Sequence, residues 1–143
     1  MAHDLVARET LAEFGEFRAY WRSERQELAF EAFREADGRA WLLRVPLEAR
    51  AALRAMLRDL APMLDHRTTA DPGILRQVAL GPKDELAAVL LEEGDARAFA
   101  LWRRERLRSG WSWTVDVVVV PLDLARWLCG RVAQVVDRAG APH

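Results

Sequence analysis

The residues with the clearest chemical potential in this chain are arginines and tryptophans around position 105. From Arg97 to Arg108 the sequence holds five arginines against one acid, Glu105. Guanidinium groups beside indole rings can neutralise phosphates and stack on bases, which predicts a single-stranded nucleic-acid site. Both residue types are also preferred anchors of protein interfaces, so a protein partner stays open. The candidate binding residues in this segment are Arg103, Arg104, Arg106, Arg108, Trp111 and Trp113.

A second basic and aromatic group lies nearer the N-terminus, at Arg18, Tyr20, Trp21 and Arg22. Neighbouring glutamates dilute its positive charge. The same stacking and charge chemistry makes these four residues further candidates for contact with DNA or RNA. For a pair such as Arg106 and Trp113, the alternative is an internal cation–π contact that only stiffens a hairpin.

Signatures of catalysis are missing from the sequence. The three histidines fall at the termini or in a polar loop, and none is placed to act as a base beside the single cysteine, Cys129. No metal-ligand spacing, Walker loop or dinucleotide-binding glycine motif occurs. We therefore expect a non-enzymatic protein with no catalytic residue, no metal site and no cofactor.

Composition narrows the class of protein. The chain has 143 residues, 51% hydrophobic and 30% charged, with a formal net charge of −1, which counts against strong, indiscriminate phosphate binding. No apolar run reaches the length of a membrane span, and no basic segment followed by an apolar one opens the chain. These features predict a cytoplasmic protein without a membrane partner. A lone cysteine in a predicted helix indicates a buried apolar side chain.

In the first half of the chain, a hairpin is predicted with its turn at Asp37-Gly38. Folding about this turn sets Phe30 opposite Val45 and Glu31 opposite Arg44. Such a register gives a charge pair on one face and an apolar opposite face. The residues of that apolar face are Leu28, Phe30, Ala32, Trp41, Leu43 and Val45.

Two further hairpins are predicted in the second half of the chain. A turn at Gly94-Asp95 sets Glu92 opposite Arg97. A turn at Ser109-Gly110 sets Arg103 opposite Asp116, Trp102 opposite Val117 and Arg106 opposite Trp113. A helix across 84–108 is the alternative, since leucine, alanine, glutamate and arginine favour helices, but the glycine turns and charge pairs favour strands.

A short sequence motif that occurs twice in the chain indicates how these hairpins are organised. Val45-Pro46-Leu47-Glu48 and Val120-Pro121-Leu122-Asp123 each open an amphipathic helix after a predicted strand. Further strands are predicted within 4–14 and over 74–80. The plan is an α+β fold of two tandem ββββα repeats, with antiparallel curved sheets and a helix after each, in one domain: repeat one over 1–64, a linker over 65–73 and repeat two over 74–143. The apolar stripes are Ala49, Leu53, Met56, Leu57 and Leu60 in the first helix, and Leu124, Leu128, Val132 and Val135 in the second.

This plan resembles the Whirly and Pur-alpha group of single-stranded nucleic-acid-binding and transcription-associated proteins. The resemblance covers nearly the whole chain in topology. It rests on the junctions Arg44-Val45-Pro46-Leu47-Glu48 and Val119-Val120-Pro121-Leu122-Asp123, each preceded by basic and aromatic hairpins. It implies ligand binding on the sheet surface away from the helices, and assembly into dimers or higher oligomers.

Two functions stay open at this point. The first is a non-enzymatic protein that binds single-stranded DNA or RNA in transcription, replication or repair. The second is a protein-interaction module, such as a small regulator that docks on RNA polymerase or another component of the transcription machinery. A homo-oligomer is expected in either case, because antiparallel sheets leave edges that another copy can cover.

Overall fold

The computed structural model describes residues 8–22, 25–64, 71–94, 96–106 and 112–136, with the backbone alone at positions 8, 9, 93, 112, 113 and 135. Helix α1 spans Arg50–Leu60 and lies between two 3₁₀ turns, Leu47–Ala49 and Ala61–Met63, while helix α2 spans Leu122–Val135. Within the described residues, neither helix is long and apolar enough to cross a membrane. The strands are β1 (Arg8–Phe14), β2 (Phe17–Arg22), β3 (Glu27–Arg34), β4 (Arg39–Pro46), β5 (Gly73–Ala79), β6 (Asp84–Glu93), β7 (Ala96–Arg106) and β8 (Ser112–Pro121).

All eight strands form a single antiparallel sheet in the order β1-β2-β3-β4-β8-β7-β6-β5. The predicted fold class, two tandem ββββα repeats with their own curved sheets, is therefore wrong. The strands that precede the two helices, β4 and β8, pair with each other through Leu42 and Val117. In two separate sheets these strands would each leave unpaired backbone groups at an edge, and their pairing covers part of both edges.

Two of the three predicted hairpin registers are confirmed along most of their length. Leu91 pairs with Ala98 and Glu92 with Arg97 across β6 and β7. Trp102 pairs with Val117 and Arg103 with Asp116 across β7 and β8. A bulge after Arg103 then shifts the register, so that Arg106 pairs with Ser112, and Trp113 pairs with Glu105. The prediction that Arg106 lies opposite Trp113 is wrong for that reason.

The register predicted for β3 and β4 is wrong by two residues. Phe30 pairs with Leu43 and Ala29 with Arg44, since the turn comprises four residues between Arg34 and Arg39. The Asp37 carboxylate accepts a hydrogen bond from the Arg39 backbone N–H at 3.1 Å and fixes this wider turn. A slip of two residues keeps every side chain on its own face, so the predicted apolar face is confirmed.

Both helices cover the same face of the sheet. One core cluster contains residues from the two helices and from both halves of the sheet. The backbone enters both helical segments alike, with φ −59° and ψ 146° at Pro46 and φ −57° and ψ 149° at Pro121. The five predicted stripe residues before and within α1 are all buried, as are Leu128 and Val132 in α2; Leu124 is half-buried, and the side chain of Val135 is outside the described part.

Candidate binding cleft

The predicted binding residues of β2 divide between the two faces of the sheet. Trp21 belongs to the helix-covered core and is 6% exposed, because it alternates with the buried Phe17 and Ala19. Tyr20 lies on the opposite face, is 3% exposed and donates a 3.4 Å hydrogen bond to Glu31. Neither ring is accessible for stacking on a base, which corrects the role assigned to Tyr20 and Trp21.

The two β2 arginines have acidic partners. Arg18 lies 3.7 Å from Glu13 and 3.8 Å from Glu31, and Arg22 lies 3.2 Å from Glu27. These pairs connect neighbouring strands on the face away from the helices. The positive charge expected there is therefore balanced within the sheet.

On β7, the predicted arginines also contact acids. Arg103 donates hydrogen bonds to Asp84 at 2.8 and 3.1 Å, and Arg104 forms a 2.6 Å ion pair with Glu85. The Arg106 side chain is 62% exposed and lies 3.9 Å from Glu85. Arg108, Trp111 and the side chain of Trp113 lie outside the described residues. This part of the sequence-predicted site is thus only partly described, and each of its three described arginines lies within 4 Å of a carboxylate.

A buried carboxylate joins the two halves of the sheet. Asp116 accepts hydrogen bonds from the Arg44 backbone N–H at 3.2 Å and from its guanidinium at 3.0 and 3.1 Å. Arg103 completes the connection by donating to the Arg44 carbonyl at 3.1 Å. The hydrogen bond to Asp116 raises the pKa of Arg44, and the hydrogen bond to Asp84 raises the pKa of Arg103. We call this group, with Asp84, the seam network.

On the other side of Leu42, β4 and β8 stop pairing and a cleft opens between them. In the described part of the chain, Leu42 and Val117 are the one residue pair in register between these strands. The cleft has a volume of about 570 Å³, within the range of ligand sites. Its walls come from the β1–β2 turn, the β3–β4 hairpin, the start of β7 and the junction of β8 with α2. Its aromatic residues are Phe14, Phe17, Phe33, Trp41 and Trp127, and its charged residues are Glu16, Arg34, Arg97 and Asp123; we call it the aromatic cleft.

The aromatic side chains hold one another in place around Trp127. The Phe14 and Trp127 rings are 5.0 Å apart between centroids, and Phe17 meets the same indole edge-on at 6.1 Å. Across the cleft, the Arg34 guanidinium carbon lies 5.1 Å from the centre of the Trp41 ring. Contacts of these kinds fix ring orientation, so the cleft is largely preformed.

Two of the aromatic residues remain open to water. Phe14 is 54% exposed and Phe33 is 46% exposed. Phe33 lies out of phase with the core residues Phe30 and Ala32 of the same strand, and this was the signal in the sequence that marked it as unusual. The cleft itself escaped sequence analysis because its walls come from the two halves of the chain, which meet through the β4–β8 pairing and through contacts with Trp127.

The ionisable groups that line the aromatic cleft are two carboxylates and two arginines. Among the described residues, its lining contains no histidine, cysteine, serine or threonine. Cys129 is buried in α2, and desolvation raises its pKa to about 12, so its thiol is not a nucleophile at neutral pH. Among the described residues there is no group of three or more potential metal ligands.

Comparison with known proteins gives no family for the chain. Neither a protein-family model nor a curated protein matches its sequence. The resemblance to the Whirly and Pur-alpha group stays a prediction.

Proposed function

We propose that this chain is a protein-interaction module that receives an extended segment of a partner protein in the aromatic cleft. The observation that carries the proposal is the exposure of Phe14 and Phe33 at a preformed cleft of about 570 Å³. Exposed aromatic residues that line one concavity are typical of binding sites. A partner side chain that entered the cleft would remove both rings from water.

The strand arrangement supports an extended segment as the occupant. Between Leu42 and the tip of the β3–β4 hairpin, β4 and β8 lie on either side of the cleft without pairing to each other. Strand edges of this kind can hydrogen-bond to an added strand, while neighbouring pockets select its side chains. A peptide therefore fits the chemistry of the site better than a compact ligand.

The charge distribution supports a protein partner over nucleic acid. Arg18, Arg22, Arg103 and Arg104 each lie within 4 Å of a carboxylate. A surface that binds phosphates needs cations whose charge is not already balanced. Docking on a transcription component remains one form that the proposed interaction can take.

Selection from a library of random short peptides tests the proposal. Peptides recovered on the wild-type protein are synthesised, and their binding is measured by fluorescence anisotropy. We expect Phe33→Ser to weaken binding at least tenfold, as loss of an aromatic anchor does. The matched control is Met63→Ser, since Met63 is 42% exposed and lies outside the cleft.

Two results would contradict the proposed function. One is a library that yields no binding peptide. The other is a set of peptides whose affinity for Phe33→Ser equals that for the wild type. Thermal unfolding of both variants verifies that they are folded, which is expected because both positions are exposed.

A further inference from the structure

The cations that line the aromatic cleft are already neutralised. Arg34 forms a 2.6 Å ion pair with Asp37, and Arg97 lies 3.5 Å from Glu92. The hydrogen bond from Arg34 lowers the pKa of Asp37, so this pair stays ionised at neutral pH. Neither arginine therefore contributes an unbalanced positive charge to the cleft.

The two carboxylates that line the cleft, unlike its arginines, have no oppositely charged partner among the described residues. Glu16 lies in the β1–β2 turn and Asp123 in the first turn of α2, and both are exposed. Neither side chain has a hydrogen bond or an ion pair to any described residue. Asp123 also lies in the first turn of α2, where the N-terminal end of the helix attracts a negative charge.

Unpaired carboxylates beside aromatic rings form an environment that suits a cation. The ring faces attract a positive charge through their quadrupole, and the carboxylates add the modest Coulomb attraction of exposed charges. An acidic ligand would meet repulsion from the same two groups. The cleft is thus complementary in charge to an occupant that is both apolar and basic.

We infer that the partner segment carries a lysine or arginine next to its apolar anchor, and that Glu16 and Asp123 recognise this basic side chain. This inference rests on the proposed function, because it specifies the occupant of the same cleft. Phe33 and Phe14 contact the apolar anchor, while the two carboxylates select the charge beside it.

The experiment repeats the peptide selection with a charge-neutral variant of the cleft, Glu16→Gln with Asp123→Asn. On the wild type, we expect selected peptides to be enriched in lysine or arginine beside an aromatic or aliphatic residue. On the variant, we expect peptides with the apolar residue but without that enrichment. The matched control is Glu48→Gln with Asp59→Asn, which removes the same net charge from two exposed, unpaired carboxylates outside the cleft.

Binding of one selected peptide gives the size of the effect. Replacing its basic residue by glutamine should weaken binding to the wild type by about two- to fivefold for each ion pair lost, as exposed pairs do. The same replacement should leave binding to the cleft variant unchanged, and raising the salt concentration should reduce the difference on the wild type.

Each contrary result points to a distinct error. Wild-type peptides that lose affinity in Phe33→Ser but show no preference for basic residues would overturn this inference and leave the proposed function standing. Equal enrichment on the cleft variant and the wild type would assign the preference to the overall charge of the protein, and would overturn it too. Absence of any binding peptide would remove the proposed function together with it. If benzyltrimethylammonium alone displaced a selected peptide at equal concentration, a small organic cation would replace a peptide as the occupant.

Discussion

The two halves of the sheet differ on the face away from the helices. One row of paired residues crosses that face from β6 to β1: Ala87, Trp102, Val117, Leu42, Glu31, Arg18 and Glu13. The row is apolar through the second half and charged through β3, β2 and β1. On the helix-covered face, by contrast, both halves contribute to one apolar core.

The difference shows two ways of burying side chains on a face without a helix. In the second half, Ala87, Val89 and Ala100 are at most 2% exposed and pack against larger apolar neighbours such as Trp102 and Val119. In the first half, the buried Tyr20 and Ala29 lie among charged residues that form ion pairs between strands. Similar element order in the two halves therefore does not make their surfaces equivalent.

The largest loss of stability is expected from substitutions on the helix-covered face, where both halves of the sheet contribute to one core. Leu53→Ala in α1 and Leu128→Ala in α2 each empty space in the same core and should cost about 2 to 5 kcal/mol of unfolding free energy. Both leucines are at most 1% exposed. Chemical denaturation measures the two costs. A negligible cost in either variant would show that its helix does not pack in the core shared by the two halves of the sheet.

The seam network provides the next test. Asp116→Ala leaves the Arg44 backbone N–H and guanidinium without their buried acceptor, which should cost about 1 to 3 kcal/mol. The control is Glu13→Ala, which removes an exposed acid 3.7 Å from Arg18 on the polar half and should cost less than about 1 kcal/mol. Equal costs would mean that the seam contributes no more than an ordinary surface pair.

Two matched alanine-to-serine changes compare the two outer surfaces directly. Ala100 and Ala29 are both fully buried, but the residues paired with Ala29 include Tyr20 and Arg44, while those paired with Ala100 are Val89 and Val119. A hydroxyl in apolar surroundings lacks a hydrogen-bond partner, so Ala100→Ser should destabilise the protein by about 1 kcal/mol more than Ala29→Ser. Urea denaturation of the two variants gives the comparison, and the reverse order would contradict it.

Self-association of the protein stays a prediction. We expect any contact between copies to lie on the apolar outer face of the second half of the sheet. If copies associate, the exposed Ile74 on β5, paired with Val89, belongs to the contact. Light scattering at tens of micromolar should then show an oligomer for the wild type, and a lower mass for Ile74→Asp. Thr10→Asp, on the edge strand of the polar half, is the matched control. A monomeric wild type would exclude self-association through this face.

The smallest effect is expected in the binding of nucleic acid by this protein. Because Arg103 and Arg104 are paired with Asp84 and Glu85, we expect weak binding of single-stranded oligonucleotides at physiological salt. Anisotropy titrations at several salt concentrations measure this. Tight binding that lost about 1 to 3 kcal/mol in Trp113→Ala, and about one phosphate contact in Arg106→Ala, would instead support the nucleic-acid hypothesis.

The sequence predicted local structure better than the site, for identifiable physical reasons. Glycine turns and charge pairs determine neighbouring strands, so the β6–β7 register could be predicted; Gly94 takes the positive φ of 62° that such a turn requires. The four-residue turn at Asp37 and the bulge after Arg103 lack equally clear signals, and each shifted a register.

The surface was harder to predict because exposure depends on distant pairing. The alternation of Phe17, Ala19 and Trp21 did indicate a buried face, but the nearby arginines suggested a binding surface instead. The aromatic cleft depends on how β4 meets β8, and no local pattern specifies that contact. Hence Phe14 and Phe33 entered the candidate site only through the structure.

The seam also determines when the cleft can exist during folding. Every other strand pairing in the described sheet joins consecutive strands, whereas the seam joins Arg44 and Asp116, which are 72 positions apart in the chain. Contacts between distant residues carry the larger loss of chain entropy and form late. The two meanders can therefore become structured before β4 meets β8. A refolding chain should regain its strands first and acquire the capacity to capture a peptide only in a later kinetic phase.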